Sequence, residues 1–189
     1  MKAGLGVGSA KVEGRSSVQE GMCKGENEMR AYTRAMTVLA TGFGLGYSPI
    51  ASGTVGTFWG VLIVVLLFPH IGLTAQIAVS VLLALASIPV CDAADKVFPA
   101  KDDGRIVADE FMTFPICMIG LVGPQVGLRW WVVLIAFLTC RFFDIVKPWP
   151  ARQIQALKGG LGIAADDIFA SFYSLLANYL ILFLINKFV

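Results

Sequence analysis

Asp109 and Glu110 form an adjacent acid pair that runs straight into apolar sequence, and Asp166 and Asp167 repeat the design further along. Burying an ionised carboxylate beside Phe111 and Met112 is costly without a counter-charge. Carboxylate oxygens suit magnesium, which typically takes one or two of them and keeps positions for water and a substrate phosphate. Each pair also has a plainer explanation: Asp at a helix cap and Glu in the first turn favour the helix dipole. Two such pairs on one face of a membrane favour the metal site. Arg141, Lys147 and Arg152 supply cations for phosphate oxygens, arginine as a bidentate fork and lysine as a point charge. Lys147 and Arg152 also suit a membrane boundary. Asp144 stands three residues from Arg141, within reach on a helix for a salt bridge or a shared ligand.

A third constellation runs from Gly42 to Thr57 and holds five glycines in sixteen residues. Glycine lets backbone approach a ligand closely, and glycine-rich turns can aim successive N–H groups at an anion. Ser48, Thr54 and Thr57 add hydroxyl donors for phosphate. No Gly-Lys-Ser/Thr follows, so this is not a P-loop. The stretch alone serves equally as a loop leading into a helix and packed against a neighbour.

The surrounding chain must hold these groups at a lipid surface. All 13 acidic residues fall in three polar blocks, 1–53, 91–110 and 141–167, and the apolar runs between them carry none. Of 189 residues 57% are apolar and 15% charged, with a mean hydropathy of +0.75, unlike an ordinary soluble domain near ~45–50% and ~25%. Apolar segments recur at 54–72, 74–91, 111–127, 130–140 and 168–185. The first, second and last are long enough to cross a bilayer. Pro115 and Pro124 predict a kinked or short helix in the third, and the fourth spans only if extended through Arg141 and Asp144. The expected fold is therefore all-α, a compact bundle of about four or five apolar, mostly transmembrane helices with polar loops on the cytoplasmic side. A bundle lying in the membrane surface is the alternative.

Lysine and arginine set the orientation. Thirteen of the 15 lie in the same three blocks, and only Arg129 and Lys187 lie opposite, which places the blocks on the cytoplasmic side. Arg129, Trp130 and Trp131 would anchor the other interface. A net charge of +2 with no basic stripe gives no support for nucleic-acid binding. Cys23, Cys91, Cys117 and Cys140 share no C-x-x-C spacing, and the single histidine is His70, so neither a zinc site nor a disulfide framework is supported. Residues 1–30 have no apolar core, resemble no signal peptide and are expected to be disordered; 31–189 form one domain. Oligomeric state is not legible.

Four stretches together resemble the phosphatidylglycerophosphatase A family of bacterial membrane enzymes: Ser48–Thr57, Lys101–Glu110, Phe142–Pro150 and Gly159–Asp167. The resemblance covers roughly residues 35–185. It implies magnesium-dependent hydrolysis of phosphatidylglycerophosphate to phosphatidylglycerol and phosphate, in phospholipid biosynthesis at the bacterial inner membrane. By position, Asp102, Asp109, Glu110, Asp166 and Asp167 match the family's acidic residues, and Asp144 and Lys147 match its Asp-x-x-Lys-Pro-Trp-Pro run. Ser52 stands where proline is usual, Asp103 where histidine or proline is common, and Thr113 and Ser171 where glycine is usual. The expected roles are metal binding for the five acids, catalysis for Asp109, Asp166 and Arg141, and substrate binding for Ser48, Thr54, Thr57, Arg141, Asp144 and Lys147. Attack by water and attack by Asp109 or Asp166 through an aspartyl phosphate both remain open. So do a phosphatase for another lipid phosphate such as phosphatidate, a transporter, which would need charge in mid-span, and an assembly protein, which would tolerate Asp109→Asn.

Overall fold

A computed structural model describes residues 25–100, 103–157 and 159–188. The chain divides into two units, Met1–Ala35 and Met36–Val189. The described residues are helical, with no strands. A first helix, α1, covers residues 25–40. The expected disordered tail therefore lies outside the described residues up to 24, while 25–30 are helical. Glu26 and Arg30, four apart, and the Thr33 hydroxyl donating to the Met29 carbonyl at 2.9 Å support that helix.

The second unit contains α2 (Ser52–Leu67), α3 (Leu73–Asp95), α4 (Ala108–Thr113), α5 (Trp130–Val146), α6 (Ala151–Ile154) and α7 (Gly160–Phe188). Three helices, at Ser52–His70, Leu73–Asp95 and Gly160–Lys187, are long and apolar enough to cross a membrane. The stretch 111–127 forms no span. Six residues of α4 pass into a 3-10 turn at Phe114–Met118, because Pro115 has no N–H to continue the α ladder. α5 does run on through Arg141 and Asp144, reaching 17 residues and about 25 Å. α7 begins earlier than hydropathy suggests, so Asp166 and Asp167 lie inside the helix rather than before it.

The bundle is apolar outside and partly polar inside. Phe58, Leu66, Leu82, Leu138, Leu180 and Phe183 are exposed, whereas Gln76, Ser80, Thr57, Ser171, Ser174 and Asn178 are buried. Most of these inward-facing polar groups find partners that lipid could not supply, Ser80 Oγ being an exception. The Thr139 hydroxyl lies 2.7 Å from Ser174 Oγ and donates to Asn178 Oδ1 at 2.8 Å, and Asn178 Nδ2 donates to the Cys117 carbonyl at 3.1 Å. This network joins α5, α7 and the Phe114–Met118 turn. At the opposite end from the acid pairs, Gln76 Nε2 donates to the Val122 carbonyl at 2.7 Å and its Oε1 accepts from Gly120 N at 2.9 Å.

α2 holds α4 through absent side chains. A Cβ at Gly56 would meet Val107 Cβ at 2.5 Å, and one at Gly60 would meet Phe114 Cβ at 2.6 Å and the Phe111 carbonyl at 2.7 Å. Small residues three and four apart give one helix face on which a neighbour's backbone can lie. Gly60→Val should force these atoms apart and destabilise the fold by about 1–3 kcal/mol. Thermal unfolding in detergent reads it; an unchanged midpoint would show that α4 is not seated on this stripe.

Candidate active site

The start of α2, the start of α4, the end of α5 and the first turns of α7 meet at one end of the bundle. Three of these are helix N-termini, whose free N–H groups and dipoles favour negative charge. Asp109 and Glu110 occupy the first turn of α4. Asp109, Asp166 and Asp167 are buried. Arg141 is the crosslink: its Nη1 lies 3.3 Å from Glu110 Oε1 and its Nη2 2.8 Å from Asp144 Oδ2. Lys147 Nζ donates to Asp166 Oδ2 at 2.5 Å, joining the residue after α5 to α7. Asp167 lies close to Asp144 and within the electrostatic reach of Asp109 and Asp166.

Glu110 is held on its other side by α2. The Thr57 hydroxyl lies 3.4 Å from Glu110 Oε2 and donates to the Gly53 carbonyl at 2.8 Å. Any Cβ at Gly53 would collide with the Glu110 carboxylate. Burial pushes the Glu110 carboxyl up to about 7 against the pull of Arg141, and the charge of Asp144 adds to the push. Lys147 is raised too, but by its partners rather than by burial. Burial works against its charge, but the hydrogen bond to Asp166 and the charges of Asp166, Asp144 and Asp167 outweigh that, and it is raised.

The loop before α4 is tied down by residues that depart from the family pattern. Ser52 Oγ donates to the Gly104 carbonyl at 2.6 Å, a bond proline could not make. Asp103 accepts from Arg105 Nε and Nη2, both at 2.7 Å, and Arg105 stacks 4.2 Å from the Phe98 ring centroid. The arginine holds the Asp103 carboxyl below the usual carboxylate range. Thr113 Oγ1 donates to the Asp109 carbonyl at 2.7 Å, and Ser171 Oγ lies 3.7 Å from Cys140 Sγ. Each departure contributes a contact.

Asp109, Glu110, Asp144, Asp166, Asp167, Arg141, Lys147 and Thr57 are thus brought together. Asp102 lies outside the described residues. Ser48 donates within its own loop, to the Ile50 carbonyl at 3.0 Å, and Thr54 lines an apolar groove beside the site. Arg152 is exposed on α6. Asp92 was missed by sequence reasoning: its Oδ1 accepts from Gly160 N at 3.3 Å and caps α7, while its Oδ2 takes Lys96 at 2.7 Å. Its signals were the four-residue spacing to Lys96 and the Gly159–Gly160 pair, which permits the close approach.

Five carboxyls here face two cations, an imbalance that favours a further positive charge. Among the described residues no three His, Cys, Asp or Glu side chains form a preassembled metal cluster. The donor chemistry nonetheless fits magnesium, which needs only one or two protein carboxylates. Asp167 Oδ2 is buried with no hydrogen-bond partner. Asp109, Glu110, Asp166 and Asp167 are the residues that could hold the ion.

Among the described residues, a bundle with helices able to cross a membrane carries buried acids and cations that converge at one end, the make-up of a membrane enzyme. The chain belongs to the phosphatidylglycerophosphatase A family, whose sequence pattern matches residues 38–182. It is 33% identical to the Haemophilus influenzae phosphatidylglycerophosphatase A over 145 residues, covering 76% of this chain and 86% of that one. It is 34% identical to the Escherichia coli phosphatidylglycerophosphatase A over 143 residues, covering 72% and 77%. A Bacteroides thetaiotaomicron protein provisionally named a phosphatidylinositol-3-phosphatase is 34% identical over 141 residues, covering 72% and 87%. No solved structure matches. The protein is a phosphatase of this family.

Removing Arg141 would leave Glu110 and Asp144 as uncompensated acids in a largely buried setting. Arg141→Met should cost about 3 kcal/mol of stability. Adding Glu110→Gln should recover part of the loss in the same detergent melts. No recovery would mean that the Arg141–Glu110 contact carries none of the stability.

Proposed function

We propose that this chain hydrolyses phosphatidylglycerophosphate to phosphatidylglycerol and inorganic phosphate, with magnesium, on the cytoplasmic side of a bacterial inner membrane during phospholipid biosynthesis. The observation that carries the reading is the excess of buried carboxyls over cations where three helix N-termini meet. An acidic site of this kind binds a phosphate ester only if a metal ion offsets the charge.

Magnesium would supply Lewis acidity toward the phosphoryl oxygens and hold them at the site. The protein's own groups do the rest. Asp109, in the first turn of α4, would orient a water and take its proton as the water oxygen bonds to phosphorus. The P–O bond to the glycerol oxygen breaks, and that oxygen leaves as a hydroxyl with a proton taken from solvent water, while the proton on Asp109 returns to solvent. Asp166 is a weaker candidate base because Lys147 holds it. Arg141 keeps Glu110 and Asp144 in register and has a buried Nε still free of hydrogen bonds. The apolar exterior keeps the acyl chains in the bilayer, so only the headgroup must reach the acids. The excess of Lys and Arg in the tail and in the loops at the acid-bearing end supports a cytoplasmic orientation.

A second headgroup has one specific support, the Bacteroides relative whose name points to phosphatidylinositol 3-phosphate. Purified protein in detergent should release phosphate from phosphatidylglycerophosphate with magnesium and none with EDTA. Asp109→Asn should lower kcat by about 10²–10⁴-fold while leaving the melting midpoint near native. Faster release from phosphatidylinositol 3-phosphate or phosphatidate would reassign the substrate, and release that survives EDTA would remove the metal. A trapped phospho-enzyme lost in Asp109→Asn would replace water attack by an aspartyl phosphate.

A further inference from the structure

Between α2 and α5 lies a cavity of about 650 Å³, open on its side and almost wholly apolar. Its volume is that of a small-molecule site rather than a flat lipid-facing surface. Thr54, Phe58 and Val61 form one wall, and Trp130, Leu134 and Phe137 the other. Both walls lead to the acid cluster. Thr54 precedes Thr57 by three residues, and Thr57 touches Glu110. Phe137 precedes Arg141 by four, and Arg141 pairs with Glu110. Residues three and four apart share a helix face, so each wall continues into a residue that meets the same carboxylate.

We infer that this groove seats one acyl chain of the lipid whose phosphate is processed at the acid cluster, an inference that rests on the lipid-phosphatase reading. The occupant is fixed by what adjoins it: an apolar cleft, open to the side, that ends against a site suited to cation-bridged phosphate. A phospholipid is the ligand that carries both chemistries on one molecule. Depth agrees. From Thr54 to Val61, and from Phe137 to Trp130, each wall covers about 10 Å of helix, against roughly 15 Å for one leaflet of a ~30 Å hydrocarbon core. That suits one leaflet's chain and is too short for a spanning helix of a partner.

The groove also gives selectivity. A chain held along Phe58 and Leu134 would bring its phosphate to Glu110 and Arg141 without lifting the lipid from the bilayer, and a soluble phosphate ester would lack that hold. Two variants that fill the groove, Val61→Trp and Leu134→Trp, test it. The ratio of kcat/KM for dioleoyl over dibutyryl phosphatidylglycerophosphate should fall about ten-fold in each. An unchanged ratio in folded variants overturns the groove. Native protein provides an independent readout through phosphatidylglycerol nitroxide-labelled on its acyl chain, whose immobilised signal should appear in detergent. Unlabelled phosphatidylglycerophosphate should displace it at ten-fold lower concentration than phosphatidylcholine. Equal displacement by both lipids means a general lipid annulus and overturns the assignment. Selective displacement from a protein that releases no phosphate keeps the groove and sinks the phosphatase reading instead.

Discussion

Arg141 is the point through which the site end of the bundle is organised. Its guanidinium faces Glu110 on α4 and Asp144 on its own helix, and Asp144 in turn lies against Asp167 on α7. Three helices thereby meet at one level, α4 and α5 tied by charge-assisted bonds in a poorly solvated setting, where such bonds are strong when satisfied and costly when broken. Lysine would not substitute, since a point charge cannot fork between two carboxylates on different helices. Glu110 must then sit against α2, which is possible because Gly53 has no side chain to occupy that space.

The two kinds of adhesion in this fold divide the molecule by depth. At the site end, ions hold the helices. Farther in, hydroxyl and amide groups of Thr139, Ser174 and Asn178 take over, with neutral hydrogen bonds that need no counter-ion. At the other end Gln76 gathers the backbone of the 119–123 loop. Apolar clusters around Phe68, Phe114 and Met118 and around Val107, Phe111 and Met112 fill the interior between these levels, although apolar surface gains little from leaving lipid for protein.

Much of this was legible in the sequence. Composition and the positions of the acids gave the all-helical class and the end at which the acids gather, and Pro115 foretold the truncated third segment. Asp144 and Arg141 were legible as a pair from their spacing alone. What sequence could not give was which side chains the charges would take as partners across helices. Arg141 and Lys147 read as phosphate clamps, and the structure engages both with carboxylates. Thr54 and Thr57 read alike as hydroxyl donors, yet only Thr57 faces the acids, because helix phase decides it. Asp92 resembled a surface helix residue, and its role as the cap of α7 depends on a contact 68 residues away.

The depth of the acids within their helices has its own consequence. Asp166 lies six residues inside α7 and Arg141 five residues before the end of α5, so both are about 8–9 Å below those helix ends. The interfacial layer of one leaflet is about 5–8 Å thick, half the difference between a ~40–45 Å bilayer and its ~30 Å hydrocarbon core. With its helix ends at the aqueous edge, the protein would hold its charged groups at the base of that layer, just beneath the phospholipid phosphates. A lipid would then reach the acids by lateral diffusion alone, and turnover would follow its surface density in the membrane rather than its concentration in bulk water.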